Sequence, residues 1–146
     1  MKKNYKLEYR LNDEQKNYPA LYHYEFSEPT EIFCRRLCDY FIKDKKVYHM
    51  TSASLEKEYY VIYVEIDEEE AIIEHAKSYT HVTLEVRDFK EYSVSPLIYT
   101  YDLYSHEEAL SLIGNDFLWL DEQEYRKISA EIDEDRSTYV LYMTKA

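Results

Sequence analysis

The chain has 146 residues, a formal net charge of -12 and a single glycine, and it is 45% hydrophobic and 33% charged. This balance predicts one globular domain over residues 1–146 rather than a disordered chain. Phosphate-binding loops and dinucleotide fingerprints need several glycines, so a P-loop ATPase, a Rossmann dehydrogenase or a kinase is not expected.

The negative charge is concentrated after residue 50. Residues 51–146 contain 8 Lys+Arg and 22 Asp+Glu, a net charge of -14, whereas residues 1–50 contain 10 and 8. Such a surface repels phosphate backbones and anionic membranes and attracts basic proteins. We therefore expect neither a nucleic acid nor a membrane as a partner. A protein partner is expected, with basic proteins favoured, and the alternative is that the acidity only keeps a small protein soluble.

The start of the chain has no apolar h-region, and no apolar run is long enough to span a bilayer. These features predict a protein without a secretory signal or a membrane span. The two cysteines argue against a disulfide scaffold. Together these points predict a cytoplasmic protein.

Apolar and polar residues alternate along several stretches of the first half, which is typical of half-buried strands. Residues 27–43 predict a helix with Ser27 as its N-cap and Pro29 in its first turn. The stretch 59–66 is apolar on both faces, so it should be central in the sheet. The predicted strands here are residues 5–11, 21–26, 46–53 and 56–66.

Helix-start signals alternate with strand patterns in the second half. Asp67, Ser105 and Asp121 are each followed three residues later by a glutamate, and the last two match the capping-box spacing. The carboxylates near these positions are expected to be helix-start charges rather than catalytic pairs. The predicted helices are residues 67–79, 105–114 and 121–132, and the predicted strands are residues 80–89, 97–104, 116–120 and 138–145.

Strands come in pairs before helices, which predicts an α+β fold in a single domain. We expect a largely antiparallel or mixed sheet of about six to eight strands. Three to four helices should pack mainly on one face of this sheet. The polar residues that alternate along the strands indicate that the other face is at least partly open.

Cys34 and Cys38 lie four residues apart, on the apolar stripe of the predicted helix 27–43. Free cysteine behaves there as a small hydrophobe, so the core is the expected place for both. Side chains at this spacing point the same way, which disfavours a disulfide, and zinc would need more ligands. Arg35 and Arg36 flank the stripe, so a reactive or redox-sensitive thiol remains an alternative.

Polar side chains on predicted strands supply the candidate binding face. If the strands are neighbours, a histidine, carboxylates and tyrosines would line one sheet face as an acid–base or metal constellation. The competing interpretation is a hydrated surface with cross-strand polar pairs. The residues of this candidate face are His23, Glu25, Tyr63, Glu65, Tyr101 and Asp102.

The sequence has no motif that fixes a chemistry, so binding is expected rather than catalysis, with no catalytic residue, cofactor or metal. Its 18 tyrosines suit an interface because they supply contact area with few rotors to freeze. Size and charge match a small inhibitor, immunity-type protein or antitoxin that acts on a basic partner, by analogy alone. Trp119 could anchor a partner, but a core position is expected for it.

Two alternatives remain open at this stage. The same tyrosines could form a homodimer instead of binding a different protein. The protein could also be a small enzyme or ligand-binding domain, with a pocket between the sheet and a helix that is lined by His23, Glu25, Tyr63 and Glu65.

Overall fold

The computed structural model describes residues 4–146, and these form one mixed sheet of ten strands with two α-helices. No helix in the described range is long and apolar enough to cross a bilayer. In chain order the elements are β1 (Tyr5–Leu11), a 3-10 turn (Glu14–Lys16), β2 (Ala20–Phe26), α1 (Thr30–Arg36), β3 (Tyr40–Lys43), β4 (Lys46–Glu56), β5 (Tyr59–Ile66), β6 (Thr83–Asp88), β7 (Leu97–Asp102), α2 (His106–Ile113), β8 (Phe117–Leu120), β9 (Gln123–Asp133) and β10 (Thr138–Lys145).

The strand order is β2-β1-β5-β4-β3-β9-β10-β6-β7, and β8 pairs with β9. Three pairs are parallel, β1–β5, β3–β9 and β6–β10, and the other pairs are antiparallel. The strands from residues 5–66 form one side of the sheet, which we call the first sheet half. The strands from residues 83–145 form the second sheet half.

Both helices pack on one face of the sheet, and the main core lies between them and that face. Alternate strand residues such as Leu7, Ile62 and Leu141 point into this core and are fully buried. Each such side chain stabilises the fold by about 1.5–3 kcal/mol. The opposite face of the sheet is called the outer face below. Other core residues are Tyr9, Phe41, Val64, Leu84, Val86, Ile132 and Tyr139.

The cysteines lie in this core, as the sequence predicted. Cys34 and Cys38 are buried and free. Burial raises the pKa of the Cys34 thiol to about 11 and that of Cys38 well above its ordinary value. A reactive thiolate is therefore disfavoured at both positions, because thiolate chemistry needs a lowered pKa and access.

The prediction of three to four helices was wrong, since the described residues are about 50% strand and 13% helical and contain two α-helices. The clearest error concerns residues 121–132, which form most of β9 instead of a helix. Asp121 has φ 47° and begins the two-residue turn that joins β8 to β9. Aspartate suits both a helix N-cap and a turn position in the left-handed region, so the capping-box spacing at Asp121 does not distinguish the two.

The predicted helix 67–79 is also absent, although its cap signal is real. The Asp67 carboxylate accepts the N–H groups of Glu69 and Glu70, both at 3.1 Å. The chain then continues without helix and lies against the outer face. There Tyr79 donates to the buried Glu85 of β6, and the Lys77 carbonyl accepts from the buried Arg136 of the β9–β10 turn. Tertiary contacts therefore override the local helix signal.

The predicted helix 27–43 is divided. Its first part forms α1 with Pro29 at the N-cap, not Ser27, and without a side-chain cap bond. Its last part becomes β3, because Tyr40–Lys43 pairs with both β4 and β9. The predicted helix 105–114 was correct: the Ser105 hydroxyl caps α2 by accepting the Glu108 N–H at 3.4 Å.

Candidate functional site

The outer face of the first sheet half carries partly exposed charged pairs, although Ile42, Val47 and Val61 on the same face are buried. Arg10 binds Glu8 at 2.9 Å and Glu56 at 3.2 Å. The Tyr63 hydroxyl donates to the other oxygen of Glu56 at 2.5 Å. His23 lies 3.7 Å from Glu8. These partly exposed pairs satisfy one another and leave no group aimed at a common ligand.

The predicted constellation is not assembled by the fold. His23 on β2 and Tyr63 on β5 share the outer face, but β1 lies between their strands. Glu25 is 3.7 Å from His23, and Glu65 accepts a bond from Asn12 at 3.3 Å instead of meeting Tyr63. These four residues therefore belong to separate polar pairs and do not line one pocket.

Tyr101 and Asp102 lie on β7, at the opposite edge of the sheet from β2. Tyr101 points toward the helix side and contacts the Tyr99 ring edge-on at a centroid distance of 4.7 Å. The Asp102 carboxylate points the other way and lies 2.8 Å from the His81 ring nitrogen. This part of the predicted face is thus remote from the other four residues.

The outer face of the second sheet half is covered by residues 67–82 and contains a buried ionic cluster. The Glu85 carboxylate accepts bonds from Arg136 at 2.9 and 3.0 Å, from Arg87 at 2.8 Å and from Tyr79 at 2.8 Å. Burial by itself would raise the pKa of Glu85, but these hydrogen bonds and the Arg136 charge lower it to about 2. Arg136 also binds Asp133 at 2.9 Å, so the cluster is fully paired.

A second buried carboxyl on this face has no cationic partner within salt-bridge distance among residues 4–146. Glu131 is 6% exposed and accepts a single hydrogen bond, from the Tyr142 hydroxyl at 3.3 Å. Burial, together with the nearby charge of Asp133, raises the pKa of Glu131 to about 8. This shift favours the protonated form of the carboxyl in the folded protein at neutral pH.

A cavity of about 310 Å³ opens between α1, the start of α2 and the β9–β10 turn. Its polar lining is internally paired: the His106 ring bridges Glu31 at 3.0 Å and the Tyr139 hydroxyl at 2.8 Å. Arg35 binds Glu31 at 3.0 Å and Glu134 at 3.3 Å. Among residues 4–146, no buried side-chain N or O atom lacks a hydrogen-bond partner. The pocket therefore contains acid–base residues but directs no unpaired group at a ligand.

Beyond the covered region, the outer face ends in a row of exposed apolar side chains that we call the apolar band. Trp119 is 67% exposed and Phe117 is 49% exposed on β8. Their neighbours Leu118 and Leu120 point to the core, so strand alternation directs the two aromatic rings outward. Further exposed apolar side chains lie near the same ends of the neighbouring strands, and we include them in the band: Ile128 on β9, Phe89 after β6 and Leu97 on β7.

Acidic residues border the apolar band. Residues 116–124 contain four carboxylates and no lysine or arginine. Glu124 stands directly opposite Trp119 in the β8–β9 ladder, and Asp121 and Glu122 form the adjacent turn. The exposure of Trp119 corrects the expectation of a core position. The period-two pattern of FLWL was the sequence signal that could have revealed it.

Comparison with protein-family models, with curated proteins and with solved structures returned no match. Within the described residues, no group of three or more His, Cys, Asp or Glu has a geometry that could hold a metal ion. The apolar band and the pocket at His106 are therefore the two features that can be weighed for function.

Proposed function

We propose that this protein is a protein-binding module and that the apolar band is its binding site. The observation that carries the proposal is the exposure of Trp119 beside Phe117, on a rigid β-hairpin. Aromatic side chains dominate the energetics of protein interfaces, and tryptophan is the most enriched of them. Contiguous exposed apolar residues with a polar rim are typical of interaction sites.

The partner that suits this site is a basic protein. Residues 51–146 carry a net charge of -14, and the four carboxylates of residues 116–124 lie beside the exposed rings, while Arg126 stands opposite Phe117. Opposite charge on the partner would speed the encounter and orient it, while the rings would supply the buried contact. An inhibitor or immunity-type protein would bind a basic enzyme in this way. The free, buried cysteines support a reducing compartment such as the cytoplasm.

The paired pocket at His106 supports a ligand-binding function less well. Its carboxylate, imidazole and phenol already satisfy one another, so a ligand would have to displace existing bonds. The apolar band has no such internal partner. Exposed aromatic rings gain burial directly when a partner covers them.

The proposal is tested by affinity capture with matched variants. The immobilised wild-type protein, Trp119→Ala, Phe117→Ala and the control Leu55→Ala would each be exposed to cell extract. Leu55 is 61% exposed on β4, so this control removes an exposed apolar side chain from the first sheet half. Each retained protein would be identified, purified and titrated against all four variants at low and high salt.

We expect a basic protein that the wild type and Leu55→Ala retain equally. Trp119→Ala should bind it about 30-fold more weakly, as is typical when an interface anchor is truncated. Affinity should also fall as salt rises, because the charge attraction is screened. The proposal is wrong if no retained protein depends on Trp119 or Phe117, or if the dependent partner is acidic.

A further inference from the structure

In the described part of the chain, β7 ends the sheet and has a hydrogen-bonded neighbour, β6, on one side only. Leu103 donates its N–H to the Val82 carbonyl at 3.0 Å, directly beyond the pair that Asp102 forms with Thr83. Hydrogen-bonded pairs alternate along an antiparallel ladder, so the N–H and C=O groups of Thr100 and Asp102 point away from β6. Within residues 4–146, no backbone group of another element bonds to these four groups.

This edge carries little of the protection that sheet edges usually have. Its one charged side chain is Asp102, and that carboxylate is already bound to His81. A bulge at the start of β7 limits the regular edge to residues 99–102. The opposite edge strand β2 likewise carries a single carboxylate, Glu25, which lies 3.7 Å from the His23 ring, so charge protects neither edge more than the other.

The tyrosines beside this edge suit a second strand. Tyr99 is 50% exposed, and Tyr104 just beyond the strand is almost fully exposed. Tyr99 and Tyr101 lie on the helix side of the strand, with their rings in contact. A strand added here would bury both rings, and aromatic cross-strand pairs are among the most stabilising.

We infer that β7 pairs antiparallel with β7 of a second copy of this chain, with the two-fold axis passing at Tyr101. In this register Thr100 of each copy faces Asp102 of the other, and these two pairs exchange four backbone hydrogen bonds. Tyr101 faces its own counterpart in the closely spaced, non-hydrogen-bonded position. The symmetric contact is isologous, so it closes as a dimer and does not extend into a fibre.

The residues opposite each other at the edge are electrostatically compatible with this register, but the net charges of the two copies oppose dimerisation. Each Asp102 faces a neutral threonine, so no like charges stand directly opposite each other. Each copy nevertheless carries a net charge of -12, so the two copies repel at long range. Dimerisation should therefore strengthen as salt rises. This dependence is opposite in sign to that expected for binding of a basic partner at the apolar band.

The first test is the mass in solution as a function of concentration and salt. Over about 10 µM to 1 mM protein we expect the mass to rise from one chain toward two, and more completely at high salt. Tyr99→Lys should remain monomeric, while the control Leu55→Lys, which makes the same charge change on β4, should dimerise like the wild type. A constant single-chain mass, or a dimer that persists in Tyr99→Lys, would overturn the inference.

The second test fixes the register. Tyr101→Cys places a thiol opposite its own counterpart, where Cα atoms lie about 4.5 Å apart, so mild oxidation should cross-link two chains. Tyr99→Cys is more exposed but faces a different residue of the second copy, so it should cross-link much less. Cys34 and Cys38 are buried and should not contribute. Equal cross-linking of both variants would overturn the register, and neither result depends on whether Trp119 binds a partner.

Discussion

The outer face of the sheet is built differently in its two halves. In the first half, Arg10 bridges Glu8 and Glu56 in contact with water. In the second half, Arg136 bridges Glu85 and Asp133 beneath residues 67–82, out of contact with water. The two clusters have the same composition, one arginine between two carboxylates. Burial makes the loss of a partner more costly in the covered cluster, because a buried charge that loses its partner cannot be solvated by water.

The largest expected effect comes from removing the cation in each half. Arg136→Met should destabilise the protein by about 3–5 kcal/mol, because Glu85 and Asp133 would remain buried without their partner. Arg10→Met should cost about 0–1 kcal/mol, since its partners stay hydrated. Urea denaturation of both variants measures the difference. Similar losses in the two variants would show that residues 67–82 do not exclude water from the cluster.

The next effect concerns the protonated carboxyl of the covered half. The pKa of Glu131 is raised from 4.5 to about 8, so between these values the unfolded chain ionises while the folded protein does not. Stability contributed by the neutral carboxyl is therefore lost as pH rises from about 4.5 to 8. Glu131→Gln removes this loss and should be more stable than the wild type by roughly 2–4 kcal/mol at pH 8, with little gain at pH 4.

Glu85→Gln is the matched control in the same half, and its effect on stability should depend on pH in the opposite direction. The pKa of Glu85 is lowered to about 2, so its contribution is present above about 4.5 and is lost as pH falls toward 2. This variant should be destabilised at pH 7 and should approach the wild type in acid. Denaturation midpoints for both variants between pH 3 and pH 8 would test the pair, and parallel pH profiles would contradict it.

A smaller loss of stability is expected when a contact between residues 67–82 and the sheet is removed. Tyr79→Phe removes the hydroxyl that donates to Glu85 at 2.8 Å and should cost about 1–2 kcal/mol. It should also accelerate amide exchange in residues 67–82 before that of the strands beneath them. Uniform acceleration over the whole second half would show that this segment does not open separately.

The smallest effect is expected in the exposed half. Tyr63→Phe removes the 2.5 Å hydrogen bond to Glu56, yet it should cost less than about 1 kcal/mol because water replaces the lost partner. Thermal denaturation compares it with Tyr79→Phe, which makes the same chemical change on the covered half. A larger loss in Tyr63→Phe would reverse the contrast between the halves.

Much of the fold could be predicted from local patterns. Period-two alternation located the strands around residues 5–11, 21–26 and 138–145, and the Ser105 cap located α2. The failures arose where one local signal suits two structures. Asp121 with Glu124 has the spacing of a capping box, but its left-handed backbone forms a hairpin turn. Residues 40–43 continue an apolar helix stripe, yet pairing with β4 and β9 makes them a strand.

The candidate site was less predictable because it depends on strand order. The sequence placed His23 and Tyr63 at polar positions of two predicted strands. It could not indicate that β1 lies between those strands in the sheet. Nor could it indicate that residues 67–82 cover one part of the outer face and leave Trp119 outside. These outcomes depend on contacts between residues that are distant in sequence, which periodicity does not report.

The strand order also has a consequence for how the chain folds. Residues 5–66 and residues 83–145 each assemble their own part of the sheet, and the strands are joined across the middle by the parallel pairing of Tyr40–Ile42 with Glu131–Asp133. That seam is only three residues long and closes a loop of about ninety residues, which is entropically costly to form early. We expect the two parts to acquire structure separately and the seam to close last. Pulsed hydrogen exchange during refolding should then protect the β3 and β9 amides of the seam after those of β1, β5, β6 and β10.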